Sequence, residues 1–473
     1  MTEPLEPPPH MTPEEFRQAG YAAIDWLVDH MEGVDQRPVT PATQPGDVRA
    51  ALPATAPQTG EPFADLLADM DRIITPHLTQ WQHPGFYGYF TANSSPPAVL
   101  GELLSAGLGV QGMLWSTGPA ITELETHLLD WMIDLCGLPE KFLSTGPGGG
   151  VIQDSASSAT LCAILAARHR AGGAAALPNL RAYTSAQAHS SAEKGCLVAG
   201  LAADQLRLID TDENFAMNPQ ALSAAIAQDQ SDGLVPFFVM ATVGTTSSGA
   251  VDPLPKIAPL AKAAGAWLHV DAAWAGSAGV CPEYREIFTG LDQADSYVFN
   301  PHKWLLTNFD CSLFWVADAG PLTEALSIVP EYLRNPASEA GAVIDYRDWQ
   351  VPLGRRFRSL KLWFVLRSYG VEGLQAHIRN HVAAAQVLAK QVAQHPQLEL
   401  AAPPTLALVC FRHLDGDQAS EDLLQALNAT GEVLLTHTKL NDRYVLRVAV
   451  GATQTTQSHV QHLMDLIAEQ LSS

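Results

Sequence analysis

The centre of the chain alternates short apolar stretches with longer stretches of helical spacing, and this alternation limits the fold more than any other feature. We predict strands over residues 181–185, 235–243, 266–270, 296–299 and 311–317, and helices over residues 151–169, 218–228 and 255–264. Strands separated by helices favour an α/β fold, with a mostly parallel central sheet covered by helices on both faces. Ligands of such sheets bind beyond the carboxyl ends of the strands, so polar residues at those ends are the first candidates for a site.

The two ends of the chain depart from this pattern. Thr12, Pro13 and Glu15 form a helix-start signal, and the loop over residues 37–62 that follows the helix is rich in proline, alanine and threonine. The first segment contains too little apolar material for a core of its own. The C-terminal part predicts a helix over residues 374–395, a strand over 406–413, a helix over 420–430, a hairpin turning at Asn441-Asp442 and a last helix over 455–471.

We therefore predict three parts of the chain. These are an N-terminal helical arm over residues 1–85, a large domain over residues 86–373 and a small α+β domain over residues 374–473.

Charge and cysteine spacing exclude several classes of protein. The formal net charge is -23, which disfavours non-specific binding of nucleic acid or of an anionic membrane. No signal peptide and no apolar run long enough to span a membrane is recognisable. The six cysteines are scattered without metal-ligand spacing, as in reduced proteins of the cytoplasm. We expect a cytoplasmic enzyme that acts on a small molecule and holds no metal.

A lysine follows one of the predicted strands directly. Lys303 lies in the sequence Asn300-Pro301-His302-Lys303-Trp304. Partial burial at a strand end lowers the pKa of an amine and frees it to form a Schiff base. For a single lysine, an ordinary loop position is the better explanation.

An aspartate follows the preceding strand. Asp271 could be only a turn former. A buried carboxylate in this place could instead keep the ring nitrogen of pyridoxal phosphate protonated, and the small Ala273 would leave room for the ring. Asp271 and Lys303 at successive strand ends are the pair that this cofactor needs.

Two further features fit an aromatic cofactor that carries a phosphate. The glycine run over residues 146–150 leads to Ser155 at a predicted helix start, where free N–H groups can bind an anion. The run matches neither a P-loop nor a dinucleotide fingerprint, and a flexible linker with a serine cap explains it as well. His189 could stack on the cofactor ring, although the chain has 16 histidines.

Taken together, these residues resemble the pyridoxal-dependent group II decarboxylases, specifically a bacterial-type aromatic-L-amino-acid decarboxylase. The resemblance covers about residues 16–467 and rests on seven motifs in order. They are His83-Pro84, Thr122-Glu123-Leu124-Glu125, Gly149-Gly150-Val151-Ile152-Gln153, Gln187-Ala188-His189-Ser190-Ser191, His269-Val270-Asp271-Ala272-Ala273, Asn300-Pro301-His302-Lys303-Trp304 and the stretch from Pro352 to Lys361.

The resemblance implies the aspartate-aminotransferase-like fold (fold type I), pyridoxal 5'-phosphate as cofactor and a homodimer embraced by the N-terminal helices. It also implies the role of each site residue. Lys303 would carry the cofactor, Asp271 would pair with its ring nitrogen, and His189 would stack on the ring. Cofactor contacts are further implied for Ala156, Ser157, Thr246, Ala273, Asn300 and His302, and for Gly354 on the neighbouring subunit.

Reaction and substrate follow from the same resemblance. Tyr332 matches the residue that protonates Cα after CO2 leaves; relatives with phenylalanine there tend to be aldehyde synthases. Trp81, Tyr89 and Phe90 match aromatic pocket positions, which favours an aromatic substrate. Ala92 and Met113 depart from the threonine and phenylalanine of many animal members, so tryptophan, phenylalanine, tyrosine and dihydroxyphenylalanine all stay open.

Three alternatives are disfavoured. Tyr332 argues against an aldehyde synthase, and the aromatic pocket positions argue against an acidic or diamino substrate. The complete set of Lys303, Asp271, His189 and Tyr332 argues against a cofactor-binding regulator without turnover.

Overall fold

The computed structural model describes residues 10–328 and 343–472. Its strands form two sheets. The first seven are β1 (Gly149–Gln153), β2 (Leu180–Ser185), β3 (Leu206–Ile209), β4 (Val235–Thr242), β5 (Trp267–Asp271), β6 (Ser296–Phe299) and β7 (Ser312–Val316). The second sheet contains β8 (Leu398–Leu400), β9 (Leu408–His413), β10 (Thr436–Leu440) and β11 (Arg443–Ala449).

Helices precede, separate and follow these strands. In chain order they are α1 (Pro13–Glu32), α2 (Asp47–Ala51), α3 (Phe63–Asp69), α4 (Pro96–Leu108), α5 (Pro119–Cys136), α6 (Ala156–Arg170), α7 (Ser191–Val198), α8 (Pro219–Ser231), α9 (Leu254–Ala263), α10 (Pro301–Trp304), α11 (Gly320–Leu326), α12 (Arg358–Gln394), α13 (Asp417–Ala429) and α14 (Gln457–Ser472).

The large sheet confirms the predicted parallel architecture. Its strand order is β1-β7-β6-β5-β4-β2-β3. β7 runs antiparallel to both of its neighbours, and the other pairs are parallel. Alternate residues of β4 enter two different cores, with Val239 and Ala241 on one face and Phe238 and Met240 on the other. A strand buried on both faces needs this period of two.

The prediction of one helix over residues 151–169 is wrong at its start. Residues 149–153 form strand β1, and α6 begins only at Ala156. The small residues at the start serve close packing: a Cβ at Gly149 would lie 2.8 Å from the ring of Trp349, and one at Gly150 would lie 2.6 Å from that of Trp315. The end of the glycine run is therefore sheet backbone and not a flexible linker.

The C-terminal unit follows the predicted order of elements, except that the short strand β8, which was not predicted, precedes β9. The hairpin turns at Asn441 and Asp442, both with positive φ, as its two-residue turn requires. The long helix begins earlier than predicted, at Arg358, and is interrupted at Gly370, where φ is 62° and ψ is 179°. Phe86 pairs with Leu434 of the C-terminal unit. The domain boundaries at residues 85 and 373 stay predictions.

The N-terminal helix begins as predicted. Thr12 and Glu15 form a reciprocal capping box, with Glu15 N–H donating to Thr12 Oγ1 at 3.2 Å and Thr12 N–H to Glu15 Oε2 at 2.7 Å. None of the residues of α1 is buried. The helix therefore has no core of its own within this chain.

Across the described ranges, no helix has both the length and the apolarity needed to cross a membrane.

Candidate active site

The predicted cofactor residues meet at one edge of the large sheet. Asp271 ends β5, and Lys303 lies four residues beyond β6. Thr246, His189 and Ser157 follow β4, β2 and β1 in the same way. Because these strands are parallel, their carboxyl ends lie at the same edge. The structure thus places these residues where a parallel sheet holds its ligand.

Lys303 is held by the strand end that precedes it. The backbone N–H of Lys303 donates to the carbonyl of Asn300 at 3.0 Å. The backbone N–H of Asn300 donates to the carbonyl of Ala273 at 2.9 Å, and this hydrogen bond joins the ends of β5 and β6. Burial lowers the pKa of the Lys303 amine, Asp271 opposes that shift, and the positive charge of Arg447 adds to it. A larger fraction of the amine is therefore free to act as a nucleophile near neutral pH.

Asp271 is buried, and one of its oxygens is committed to the local turn. Ala273 N–H donates to Oδ1 at 2.9 Å. No hydrogen bond from a described residue reaches Oδ2. A carboxylate with one free oxygen in a buried site suits a protonated ring nitrogen.

His189 lies at the rim of the site. Its Nδ1 accepts the backbone N–H of Ser191 at 3.1 Å, so in the neutral ring the proton lies on Nε2. The surrounding protein removes water from the ring and lowers the pKa; Asp271 raises it and Lys303 lowers it further. Burial thus favours the neutral form of His189, and the pKa of its ring depends on the charges of Asp271 and Lys303.

Free hydrogen-bond donors lie at the start of α6. Ser155 caps α6, and its Oγ accepts Ser158 N–H at 3.2 Å, which leaves the N–H groups of Ala156 and Ser157 free within the helix. Free N–H groups at the start of a helix bind anions. This helix start is therefore the candidate anion site, in place of the glycine run before it.

Two neighbours of Lys303 add donors to this set. Asn300 Oδ1 accepts the hydroxyl of Ser312 at 2.7 Å, so its amide NH2 is directed elsewhere. His302 Nδ1 accepts Cys311 N–H at 2.9 Å, and burial lowers the pKa of His302 to about 3. The ring is neutral, with its proton on Nε2 available to an acceptor.

Thr246 lies in a loop that a buried carboxylate closes. Asp252 accepts the N–H of Thr242 at 2.7 Å and of Met217 at 2.6 Å, and burial raises the pKa of Asp252 to about 6. The prediction missed Asp252. Its only signal in the sequence is a lone aspartate after an apolar pair.

Three predicted pocket aromatics lie close together. Phe90 is buried and stacks on Trp274 with a centroid distance of 4.3 Å. Trp81 stacks on Tyr89 at 5.8 Å, and both rings are exposed. Lys303 Nζ lies 5.5 Å from the Phe90 centroid. The amine therefore faces an aromatic wall.

The other residues predicted for the pocket and for a subunit interface make different contacts. The Ala92 carbonyl accepts Gln82 Nε2 at 2.6 Å. The Met113 carbonyl accepts Arg347 N–H at 3.1 Å, and Gly354 is exposed. No hydrogen bond or ring contact between described residues joins Met113 or Gly354 to Lys303. Tyr332 lies outside the described residues.

Arg447 is the second residue that the prediction missed. It lies on β11 with its side chain buried, and its guanidinium carbon is 5.3 Å from the Phe90 centroid. In the described part of the chain no carboxylate comes within ion-pair distance of it, and its Nε is buried without a partner. A single arginine within the apolar run of residues 444–450 was the signal that could have identified it.

In residues 10–328 and 343–472, no group of three or more His, Cys, Asp or Glu side chains could hold a metal ion.

An amine of lowered pKa, a buried carboxylate and an anion-binding helix start, all at one sheet edge, define an enzyme of the pyridoxal-phosphate class. The model of the pyridoxal-dependent decarboxylase conserved domain matches residues 45–414. The chain belongs to this family, whose cofactor is pyridoxal phosphate.

Individual relatives are similar over almost their whole length. The chain is 46% identical to the phenylacetaldehyde synthase of Arabidopsis thaliana, over 98% of this chain and 97% of that protein. It is 45% identical to the aromatic-L-amino-acid decarboxylase of Rattus norvegicus, over 98% and 99%. The structure of Oryza sativa TDC with PLP and tryptamine superposes with a TM-score of 0.96 at 38% identity, covering 99% of both chains. These relatives come from plants and a mammal and give no support to the expectation of a bacterial-type member.

Proposed function

We propose that this chain removes the α-carboxylate of an aromatic L-amino acid and releases CO2 and the corresponding arylalkylamine. One observation carries the proposal: the Lys303 amine has a pKa lowered by burial, interacts with the charge of Asp271 and lies 5.5 Å from the centroid of the Phe90 ring. This arrangement joins a cofactor anchor to a surface that suits a flat apolar side chain.

The site residues divide the work of holding the cofactor. Lys303 would bind it covalently, and the free oxygen of Asp271 would hold the proton on its ring nitrogen. His189, Thr246 and Ala273 would contact the ring. When bound, pyridoxal phosphate supplies the electron sink that takes up the electron pair of the breaking bond between Cα and the carboxylate. The protein supplies orientation and charge.

Neutral donors would hold the phosphate end of the cofactor. We expect hydrogen bonds to the phosphate from the N–H groups of Ala156 and Ser157 at the start of α6, from the amide of Asn300 and from Nε2–H of His302. The lowered pKa of His302 keeps its ring neutral, so it serves as a hydrogen-bond donor and not as a counter-ion.

The pocket favours a substrate with an aromatic side chain and a carboxylate. Trp81, Tyr89 and Phe90 offer aromatic surface, and the cations Lys303 and Arg447 both lie near the Phe90 ring. Tryptophan, phenylalanine, tyrosine and dihydroxyphenylalanine are all candidates. Tryptamine in the rice relative supports an aromatic substrate class without selecting one ring.

Tyr332 is the proposed donor of the proton that returns to Cα. Its identity as tyrosine favours simple decarboxylation over the coupled oxidation of an aldehyde synthase. The similarity to the Arabidopsis phenylacetaldehyde synthase keeps that synthase activity as the second candidate.

A homodimer would complete the site. The exposed side chains of Leu100, Leu103, Leu104 and Leu108 form one face of α4, and no residue of α1 is buried. Apolar surfaces of this kind mark interfaces between subunits. Met113 and Gly354 would then reach the neighbouring active site.

All six cysteines are buried and free, which agrees with a reducing, cytoplasmic location.

A panel of amino acids tests the proposal. The purified protein, loaded with pyridoxal phosphate, is given aromatic, acidic and diamino substrates while amine, CO2, ammonia and peroxide are measured. Amine and CO2 without peroxide, from aromatic substrates only, agree with the proposal. Aldehyde with peroxide and ammonia in matching amounts would replace it with the synthase.

A further inference from the structure

Lys303 lies on a single-turn helix that cannot define its own position. α10 contains four residues, Pro301–Trp304, and so short a helix is marginal without tertiary contacts. Two buried side chains from distant parts of the chain, Asn93 and His381, form hydrogen bonds with this turn and its flanking residues. Neither was among the predicted site residues.

Asn93 bonds on both sides of the lysine. Its backbone N–H donates to the carbonyl of His302 at 2.7 Å, and its Oδ1 accepts the N–H of Leu306 at 3.0 Å. Its Nδ2 donates to the carbonyl of Gly451 at 2.7 Å. The side chain is buried. Asn93 therefore fixes the turn that carries Lys303 relative to the segment after β11.

His381 holds the residue next to the lysine. The Trp304 indole N–H donates to His381 Nδ1 at 2.9 Å, with both side chains buried. The backbone of Thr455 raises the pKa of His381 and so opposes the larger effect of burial. Because Nδ1 accepts, the proton of the neutral ring lies on Nε2. Burial lowers the pKa of His381 to about 4, so Nδ1 remains an acceptor near neutral pH.

Trp304 also contacts the wall of the pocket. Its ring stacks on Trp274 at a centroid distance of 5.2 Å, and Trp274 stacks on Phe90 at 4.3 Å. Lys303 Nζ lies near the same Phe90 ring. A rotation of the Trp304 indole would thus disturb both the lysine turn and the surface that the amine faces.

We propose that Asn93 and His381 are positioning residues for Lys303. Asn93 attaches the lysine turn to the segment after β11, and His381 attaches it to α12. The inference rests on the proposed role of Lys303 as the residue that binds the cofactor. Neither side chain touches the reacting atoms; each acts through the backbone or the neighbour of Lys303.

Substitutions on both sides of the hydrogen bond test the role of His381. His381→Leu and Trp304→Phe each remove this hydrogen bond. In the double variant, the second substitution is made in a chain from which the bond is already absent. His381→Asn offers an amide oxygen near the place of Nδ1 and serves as the conservative variant. Asn93→Ala removes the second attachment.

His377→Leu is the matched control. His377 lies one turn earlier on α12, its ring centroid is 4.3 Å from that of His381, and no described hydrogen bond joins it to the lysine turn. It reports the general effect of removing a histidine from this helix.

Two readouts separate positioning from stability. The first is the pH dependence of covalent bond formation between the apo-protein and pyridoxal phosphate, followed by visible absorbance. The second is kcat and KM per bound cofactor for the best aromatic substrate. We expect His381→Leu, Trp304→Phe and Asn93→Ala to shift the pH midpoint and to lower kcat by roughly 10- to 100-fold with little change in KM.

The double variant should be no worse than either single variant. His381→Asn should recover part of the loss, and His377→Leu should behave as wild type. Unchanged midpoint and kcat in His381→Leu and Asn93→Ala, or an equal loss in His377→Leu, would overturn the inference. If wild-type protein forms no covalent bond with pyridoxal phosphate at all, the proposed role of Lys303 itself has failed.

Discussion

The Nζ atom of Lys303 lies 5.5 Å from the centroid of the Phe90 ring. The guanidinium carbon of Arg447 lies 5.3 Å from the same centroid. Two cations near one ring repel each other while the ring attracts both, and the repulsion contributes to the lowered pKa of the lysine. Phe90 is therefore both a proposed wall of the substrate pocket and a neighbour of the proposed nucleophile, Lys303.

Removal of the Arg447 charge should raise the pKa of Lys303, because that charge lowers it in the wild-type protein. In Arg447→Met, the rate of covalent bond formation between apo-protein and pyridoxal phosphate should reach its midpoint at a higher pH. Arg447→Lys keeps the charge and should stay closer to wild type. A midpoint in Arg447→Met at the wild-type pH, or below it, would contradict the electrostatic coupling.

Ala92 should limit the preference for dihydroxyphenyl substrates, since it offers no hydroxyl group. Ala92→Thr should raise kcat/KM for dihydroxyphenylalanine relative to phenylalanine by about 5-fold, the value of one net hydrogen bond of about 1 kcal/mol. Ala92→Val is the matched control without the hydroxyl. Equal selectivity in the two variants would remove Ala92 from the substrate pocket.

Arg355 and Glu125 form an ion pair in which both side chains are fully buried, at 2.5 Å. Arg355→Met leaves the Glu125 carboxylate buried without its partner, so it should lower the free energy of unfolding by about 3–5 kcal/mol. Arg379→Met breaks an exposed pair with Glu283 and should cost less than about 1 kcal/mol. Urea unfolding measures both, and similar costs would show that burial does not set the difference.

His269 should contribute to acid sensitivity. Burial lowers its pKa from the ordinary value of 6.5 to about 3. As the pH falls through this window, the unfolded chain takes up a proton that the folded chain refuses, so stability falls. His269→Gln should reduce this slope by at most about 1.4 kcal/mol per pH unit. Urea unfolding at pH 7 and pH 5 measures it, with the exposed His10→Gln as control; an unchanged slope in His269→Gln would contradict the assignment.

Strand ends were the part of the site that sequence could predict. Asp271 and Lys303 each follow an apolar stretch, and parallel strands bring such positions together by geometry alone. The same reasoning failed for β1, because Gly149 and Gly150 carry no side chain to show a period. It also missed β3, an edge strand with Leu208 exposed, since a half-exposed strand lacks a continuous apolar run.

Contacts between distant segments lay beyond sequence reasoning. Arg447 reaches Phe90 across more than three hundred positions of the chain, and nothing local to either residue indicates the contact. The Trp304–His381 hydrogen bond depends in the same way on how α12 packs against distant parts of the chain. Motifs predict which residues surround the cofactor, whereas tertiary packing decides what surrounds those residues.

The most direct test of the central claim is the identity of the lysine that binds the cofactor. The protein is loaded with pyridoxal phosphate, the covalent bond is reduced with borohydride, and the digested peptides are analysed by mass spectrometry. The account predicts that the cofactor mass is found on the peptide containing Lys303. Its presence on another lysine, such as Lys194, in protein that forms amine and CO2 would contradict the account.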